Sequence, residues 1–155
     1  MAARGAQSWN IRPGQLLWKL SDRARQFRQS STLSPEAALG KRGEDLAHRY
    51  LRKVGFTVVA RNYRPGVDSE VDIVARRGDL LVFVEVKTRT SAESGHPDRA
   101  IDLEKQRHIA RAARSYVTRA GAEWNRVRFD TIAVVLSHPP SILHHEDAFF
   151  HGRVN

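Results

Sequence analysis

Four charged side chains near the middle of the chain, Glu70, Asp72, Glu85 and Lys87, have the types and spacing to do chemistry. They lie in two apolar, β-branched runs, 70–77 and 80–88, separated only by Gly78-Asp79. Glycine first in a two-residue connection suits a type II′ hairpin turn. With Arg77 opposite Leu80, counting outward sets Asp72 against Glu85 and Glu70 against Lys87. Side chains alternate along a strand, so all four project from one face, with the Asp72 and Glu85 β-carbons about 5 Å apart. Two carboxylates there repel each other. The run Leu81-Val82-Phe83-Val84 is apolar enough to belong inside a sheet, where an uncompensated charge is penalised. A divalent cation resolves the conflict, because two carboxylates, water and a substrate phosphate form a hard, all-oxygen set suited to Mg²⁺ or Mn²⁺ rather than zinc. Lys87 then stands where an ammonium contacts the phosphate, polarises water or stabilises charge on phosphorus. The competing reading of the same register is structural: Glu70 pairs with Lys87 across the strands, and Asp72 and Glu85 lie at a solvated sheet end.

These side chains need elements to hold them. Ser34-Pro35-Glu36 opens a helix, with Ser as N-cap, Pro at the first helical position and Glu complementing the dipole. Its stripe of Leu39, Gly43, Ala47, Tyr50 and Val54, with Leu46 and Leu51 beside it, faces a core, and Gly55 supplies the stop. Phe56 to Tyr63 reads as a strand, Pro65 and Gly66 fall in a loop, and Glu70–Arg77 and Leu80–Thr88 form the hairpin. A second helix from Asp102, as N-cap, to Ala120 buries Leu103, Ile109, Ala110, Ala113, Tyr116, Val117 and Ala120, with Gly121 after it. Phe129 to Leu136 is a further strand ended by Pro139-Pro140, and the tail adds a short strand near Ala148 to Phe150. The order α, β, β, β, α, β predicts an α/β fold, a mixed sheet flanked by helices.

The 155 residues suffice for one ordinary domain, and 26 Lys and Arg against 17 Asp and Glu give a net charge of +9. That balance favours a polyanionic partner, nucleic acid ahead of an anionic membrane surface. No apolar run approaches the roughly 18 residues of a membrane span, so stable membrane insertion is not expected. The absence of cysteine excludes disulfides, thiolate catalysis and cysteine-ligated metals. Residues 1 to 33 hold six basic residues against one acidic residue and read as a basic N-terminal arm, flexible or a short amphipathic helix. Residues 34–155 form the folded unit. The arm lacks the compact apolar stretch of a secretory signal, while its composition also fits an organellar transit peptide. Its Trp9, Trp18 and Phe27 suit base stacking or membrane docking, with partner packing or disorder as the plainer alternative. His138, His144, His145 and His151 crowd the tail without an established metal-ligand spacing. No Walker-type loop or dinucleotide fingerprint is present, which argues against energy-driven translocation.

Glu70-Val71-Asp72, a hairpin, and then Phe83-Val84-Glu85-Val86-Lys87-Thr88-Arg89 together resemble the PD-(D/E)XK nuclease superfamily, whose core is a restriction-endonuclease-like α/β sheet. Gly40 through Leu51, Arg61-Asn62-Tyr63, Lys105-Gln106-Arg107, Arg128-Phe129-Asp130 and His145 through Phe149 narrow the resemblance to the YraN family of predicted endonucleases. It spans about residues 38 to 150, and residues 64 to 69 depart from the short glycine-rich approach expected before the acidic strand. The resemblance implies that Asp72 and Glu85 bind the metal, with the Val86 carbonyl as a further ligand, and that Lys87 positions or activates the attacking water. It makes Glu44 the helical acid of the site. By position Glu44 lies one turn from Ala47 and two from Leu51, towards the sheet, although pairing with His48 or Lys41 on the helix surface is the simpler alternative. Glu70 is an additional acid, holding a second ion or balancing Lys87, and Gln106 is a polar residue assisting from the second helix.

Arg89, just beyond the motif strand, and Arg107, Arg111 and Arg114, at helical spacing, are candidates for phosphate contacts, against a solvated basic face for the helical three. Two functions are therefore expected to compete: a cytoplasmic, Mg²⁺- or Mn²⁺-dependent nuclease acting on DNA rather than RNA by family analogy, and a noncatalytic nucleic-acid-binding or recruitment module in recombination, repair or DNA uptake. A monomer cutting one strand and a homodimer cutting two are both compatible with the sequence.

Overall fold

The structure, a computed structural model, describes residues 33–91 and 101–149. Residues 1–32 of the expected arm lie outside them. Helix α1, Pro35–Lys53, begins as expected: the Ser34 hydroxyl accepts the Ala37 N–H at 3.2 Å, and Arg52 and Lys53 complement the dipole at its end. Three strands follow, β1 (Thr57–Gly66), β2 (Ser69–Arg77) and β3 (Leu80–Arg89). Helix α2, Leu103–Ala120, is capped by the Asp102 carboxylate and stopped at Gly121, which takes the left-handed φ of 61° that a side chain would strain. A 3₁₀ turn, Trp124–Arg126, leads into β4 (Val127–Val135) and β5 (Ser141–His145). No helix among the described residues is long and apolar enough to cross a membrane.

The five strands form one sheet in the order β1-β2-β3-β4-β5, with β3 and β4 parallel and every other pair antiparallel. Helix α2 sits in the β3-to-β4 crossover, the connection that parallel neighbours require. This is the expected α/β architecture, a mixed sheet with a helix on each face. Alternation along the strands divides the core between the helices. Ile73, Ala75, Val82, Val84, Ile132 and Val134 pack with Ala47 and Leu51 of α1. On the other face Tyr116 of α2 meets Tyr63 and Phe83 edge-on, with ring centroids 5.2 and 5.9 Å apart. Helix α1 packs tightly on the sheet at Gly43, where a β-carbon would fall 1.8 Å from Thr88 Oγ1.

Several local expectations are corrected. Strand β1 continues through Pro65 and Gly66, which proline permits because β1 is an edge strand. The last strand is Ser141–His145, directly after Pro139-Pro140, and no strand covers 148–149. Val54 and Leu103, expected to face the core, are 39% and 69% exposed because each flanks a helix end rather than its packed middle.

The sheet's far side is fixed by a saturated buried carboxylate. Asp130, fully buried on β4, accepts Arg128 Nε and the Asp147 N–H on Oδ1, and Arg128 Nη2 and His144 Nε2 on Oδ2, at 2.8 to 3.0 Å. Burial alone would raise its pKa, but these donors outweigh it and hold the carboxyl below the ordinary range. His144 Nδ1 faces the Tyr50 hydroxyl of α1 at 3.4 Å, so one network ties β4, β5 and α1 together. This gives His144 a structural role.

Candidate active site

The expected hairpin register holds from Arg77↔Leu80 through Ile73↔Val84. Gly78 has the positive φ, 58°, required at the first turn position. The ladder then stops one pair short of the carboxylates. Asp72 and Glu85 are thus not backbone partners, and Asp72 Oδ2 instead accepts the Val86 N–H at 2.7 Å. The change follows from charge: directly opposed carboxylates repel, whereas a splayed Asp72 gains a backbone donor that the ended ladder would leave unpaired.

The two side chains nevertheless converge. Each residue is only 9% exposed. Burial raises both pKa values, that of Glu85 to about 8, with the Asp72 charge pushing in the same direction. For Asp72 the Val86 N–H and the nearby Lys105 charge oppose the rise. Glu85 Oε2 is buried without a properly oriented hydrogen-bond donor. Lys105 Nζ reaches it only as an ion-pair contact at 3.3 Å. Among the described residues no three Asp, Glu or His side chains gather into a metal-binding group. Asp72 and Glu85 are two hard oxygen donors side by side, a set that could hold a divalent cation only with further ligands from backbone, water or substrate.

Lys87 and Arg89 follow Glu85 at two-residue intervals on the regular β3–β4 register, so the three occupy the α2 face of β3. Glu44, on α1, is half-buried and held from β1 rather than by His48 or Lys41: Asn62 Nδ2 donates to it at 2.9 Å and Arg61 Nη2 at 3.4 Å. Arg61 also ion-pairs with Asp45 at 2.7 Å. Burial raises the Glu44 pKa, Asn62 works against the rise, and the Asp72 charge adds to it, which puts Glu44 within electrostatic reach of the carboxylate pair. Glu70 is ion-paired with Arg64 on its own hairpin.

Helix α2 contributes differently from expectation. Gln106 turns back, its Nε2 donating to the Ile101 carbonyl at 2.8 Å. Its neighbour Lys105 points at Glu85. Arg111 donates through Nε and Nη2 to the Asp68 carbonyl, at 2.9 and 2.7 Å, and so braces the β1–β2 turn. Arg107 is exposed, and Arg89 is half-exposed. Lys105 was legible only as a basic residue in the Lys-Gln-Arg triplet, since its role depends on which way the first turn of α2 faces.

A family model described as "Uncharacterised protein family UPF0102" matches residues 43–134, from the Gly43 contact through β4. A UPF0102 protein of Solibacter usitatus is 49% identical over 128 residues, covering 82% of this chain and 92% of that protein. A UPF0102 protein of Rhodococcus jostii is 47% identical over 114 residues, 72% of this chain and 96% of its own. One of Geobacter sulfurreducens is 48% identical over 113 residues, covering 72% and 88%. Among solved structures, Pyrococcus furiosus SfsA in complex with Ca²⁺ overlaps with a TM-score of 0.30 at 19% identity, over 70% of this chain and 62% of that one. From the helix that carries Glu44 to the strand that carries Asp130, the match takes in the whole carboxylate site, and the chain belongs to the UPF0102 (YraN) family.

Proposed function

We propose that this chain is a cytoplasmic nuclease that hydrolyses phosphodiester bonds in nucleic acid, DNA rather than RNA, using Mg²⁺ or Mn²⁺ held by Asp72 and Glu85. The observation that carries the reading is the buried carboxylate pair, with Glu85 Oε2 lacking a hydrogen-bond donor, on the sheet face that also bears Lys87. Two acids so buried are costly as a structural device alone. Their hard oxygen donors fit a divalent ion of this kind, with the Val86 carbonyl proposed as a further ligand. When bound, such an ion supplies Lewis acidity towards a phosphate oxygen and eases deprotonation of water.

The chain's own groups do the rest. Lys87 orients the attacking water and stabilises charge growing on phosphorus. Glu44, its proton affinity raised by burial, exchanges a proton at the edge of the site. Glu70, already paired with Arg64, balances the cations around it. Arg89 and Arg107 follow the phosphate backbone, which makes binding strongly salt-dependent. Gln106 fixes the start of α2 through Ile101, and Arg111 fixes the β1–β2 turn through Asp68.

The test is cleavage and binding of labelled single-stranded, duplex, flap and branched DNA and RNA across a Mg²⁺ and Mn²⁺ titration. Wild type, Asp72→Ala and Lys87→Ala are compared, each shown to be folded. The expected outcome is metal-dependent cutting that falls by about a hundredfold or more in either variant. Undiminished cutting in the variants would remove the proposed site. Salt-sensitive binding by the wild type without cutting would instead identify a noncatalytic recruitment module.

A further inference from the structure

Lys105 occupies an unfavourable place for a cation. It is the third residue of α2, in the first turn, where the exposed N–H groups already make the helix end positive. Its backbone N–H is capped by Asp102 at 2.8 Å, so the helix start does not need the side chain. What holds the ammonium is the carboxylate pair: burial would lower its proton affinity, but Glu85, Asp72 and Glu70 together raise it. The contact is loose on one side and fixed on the other. Nζ lies 3.3 Å from Glu85 Oε2 without hydrogen-bond alignment, and the Lys105 side chain is 30% exposed whereas that of Glu85 is 11% exposed. A four-carbon stem with an open side can swing out at little cost, while the carboxylate stays.

We propose that Lys105 is a resident counter-ion of the site: a divalent cation displaces its ammonium from Glu85 Oε2, and the released ammonium then binds a backbone phosphate of the nucleic acid. The proposal rests on the nuclease reading and deepens it, because it couples loading of the ion to capture of the polymer. Both cations compete for one oxygen. Once released, the ammonium stands in the first turn of an 18-residue helix, whose N–H dipole favours a phosphate. The same lysine thus neutralises the carboxylates before the ion arrives and recruits substrate afterwards.

The test uses the full chain and three readouts. Reductive methylation of Lys105, followed by mass spectrometry, should speed up several-fold when Ca²⁺ or Mg²⁺ is added and slow again with a DNA oligonucleotide. Calorimetric titration with Mn²⁺ alone should show Lys105→Met binding at least about tenfold more tightly than wild type, as expected for loss of a cation a few ångströms away. Lys105→Arg separates displacement from simple repulsion. Its charge is unchanged, but its planar fork grips a carboxylate more firmly, so displacement predicts weaker Mn²⁺ binding and repulsion alone predicts no change. In Lys105→Met the gain in DNA affinity on adding Ca²⁺ should also be smaller than in wild type. Unchanged methylation with the ion present, or Mn²⁺ affinity equal in all three proteins, would overturn the proposal. Mn²⁺ binding lost in Asp72→Asn but indifferent to Lys105 would leave the nuclease reading intact, whereas no Mn²⁺ binding by wild type would remove both.

Discussion

Glu85→Gln offers a quantitative probe of the carboxylate pair that needs no substrate. In the metal-free fold Glu85 holds its proton up to about pH 8, against an ordinary value of 4.5. Between those two values the folded protein keeps a proton that the unfolded chain has released. Stability from this group is therefore fully present below about pH 4.5 and is lost as pH rises through about 8. The difference corresponds to at most about 5 kcal/mol at high pH. The amide mimics the protonated acid, but Asp72 keeps its own burial cost, so about 3 kcal/mol is expected to be recovered. Thermal and urea unfolding in a chelator, from pH 5 to pH 9, should show near-equal proteins at pH 5 and the variant more stable at pH 9. A gain of that size in a chain of this length is roughly 6–12 °C in Tm. A wild-type-to-variant difference that does not change with pH would show that the pair carries no such strain and refute the reasoning.

Two further outcomes test the frame around the site. Asp130→Ala leaves Arg128 and His144 without their shared acceptor, and urea unfolding should register a loss of about 3–5 kcal/mol, with hydrogen exchange rising first in β5. Gly43→Ala forces a β-carbon onto Thr88 Oγ1 and should cost about 1–3 kcal/mol, part of which the additional change Thr88→Ala restores in the same unfolding assay.

The legibility of this chain in its sequence divides along physical lines. The hairpin was readable because Gly78-Asp79 names its own turn and strand alternation has a period of two, so the face of Asp72, Glu85 and Lys87 follows by counting. Its last step failed because counting treats the ladder as indefinite, whereas charge repulsion ends it at Ile73↔Val84. Helix phase is harder. Gln106 and Lys105 differ by about 100° around α2, and nothing local says which of them faces the sheet. Strand β5 was hidden because Ser141-Ile142-Leu143-His144-His145 has few apolar residues and follows two prolines; it pairs with β4 where His144 finds Asp130. Asp130 itself carried a readable signal, an acid inside the apolar run Phe129 to Val135 with arginine two residues before it.

The position of β3 between an antiparallel and a parallel neighbour limits how the gene can change length. Its odd-numbered side chains at the site end, Glu85 and Lys87, face α2, while Val84 packs towards α1. A codon gained or lost within Leu80–Glu85 without a compensating bulge rotates both charged groups under α1 and brings valines to the α2 face. The same event within 73–77 turns Asp72 away. Only the Gly78-Asp79 turn lies outside both strands, so across the family insertions and deletions between the two acids should collect there.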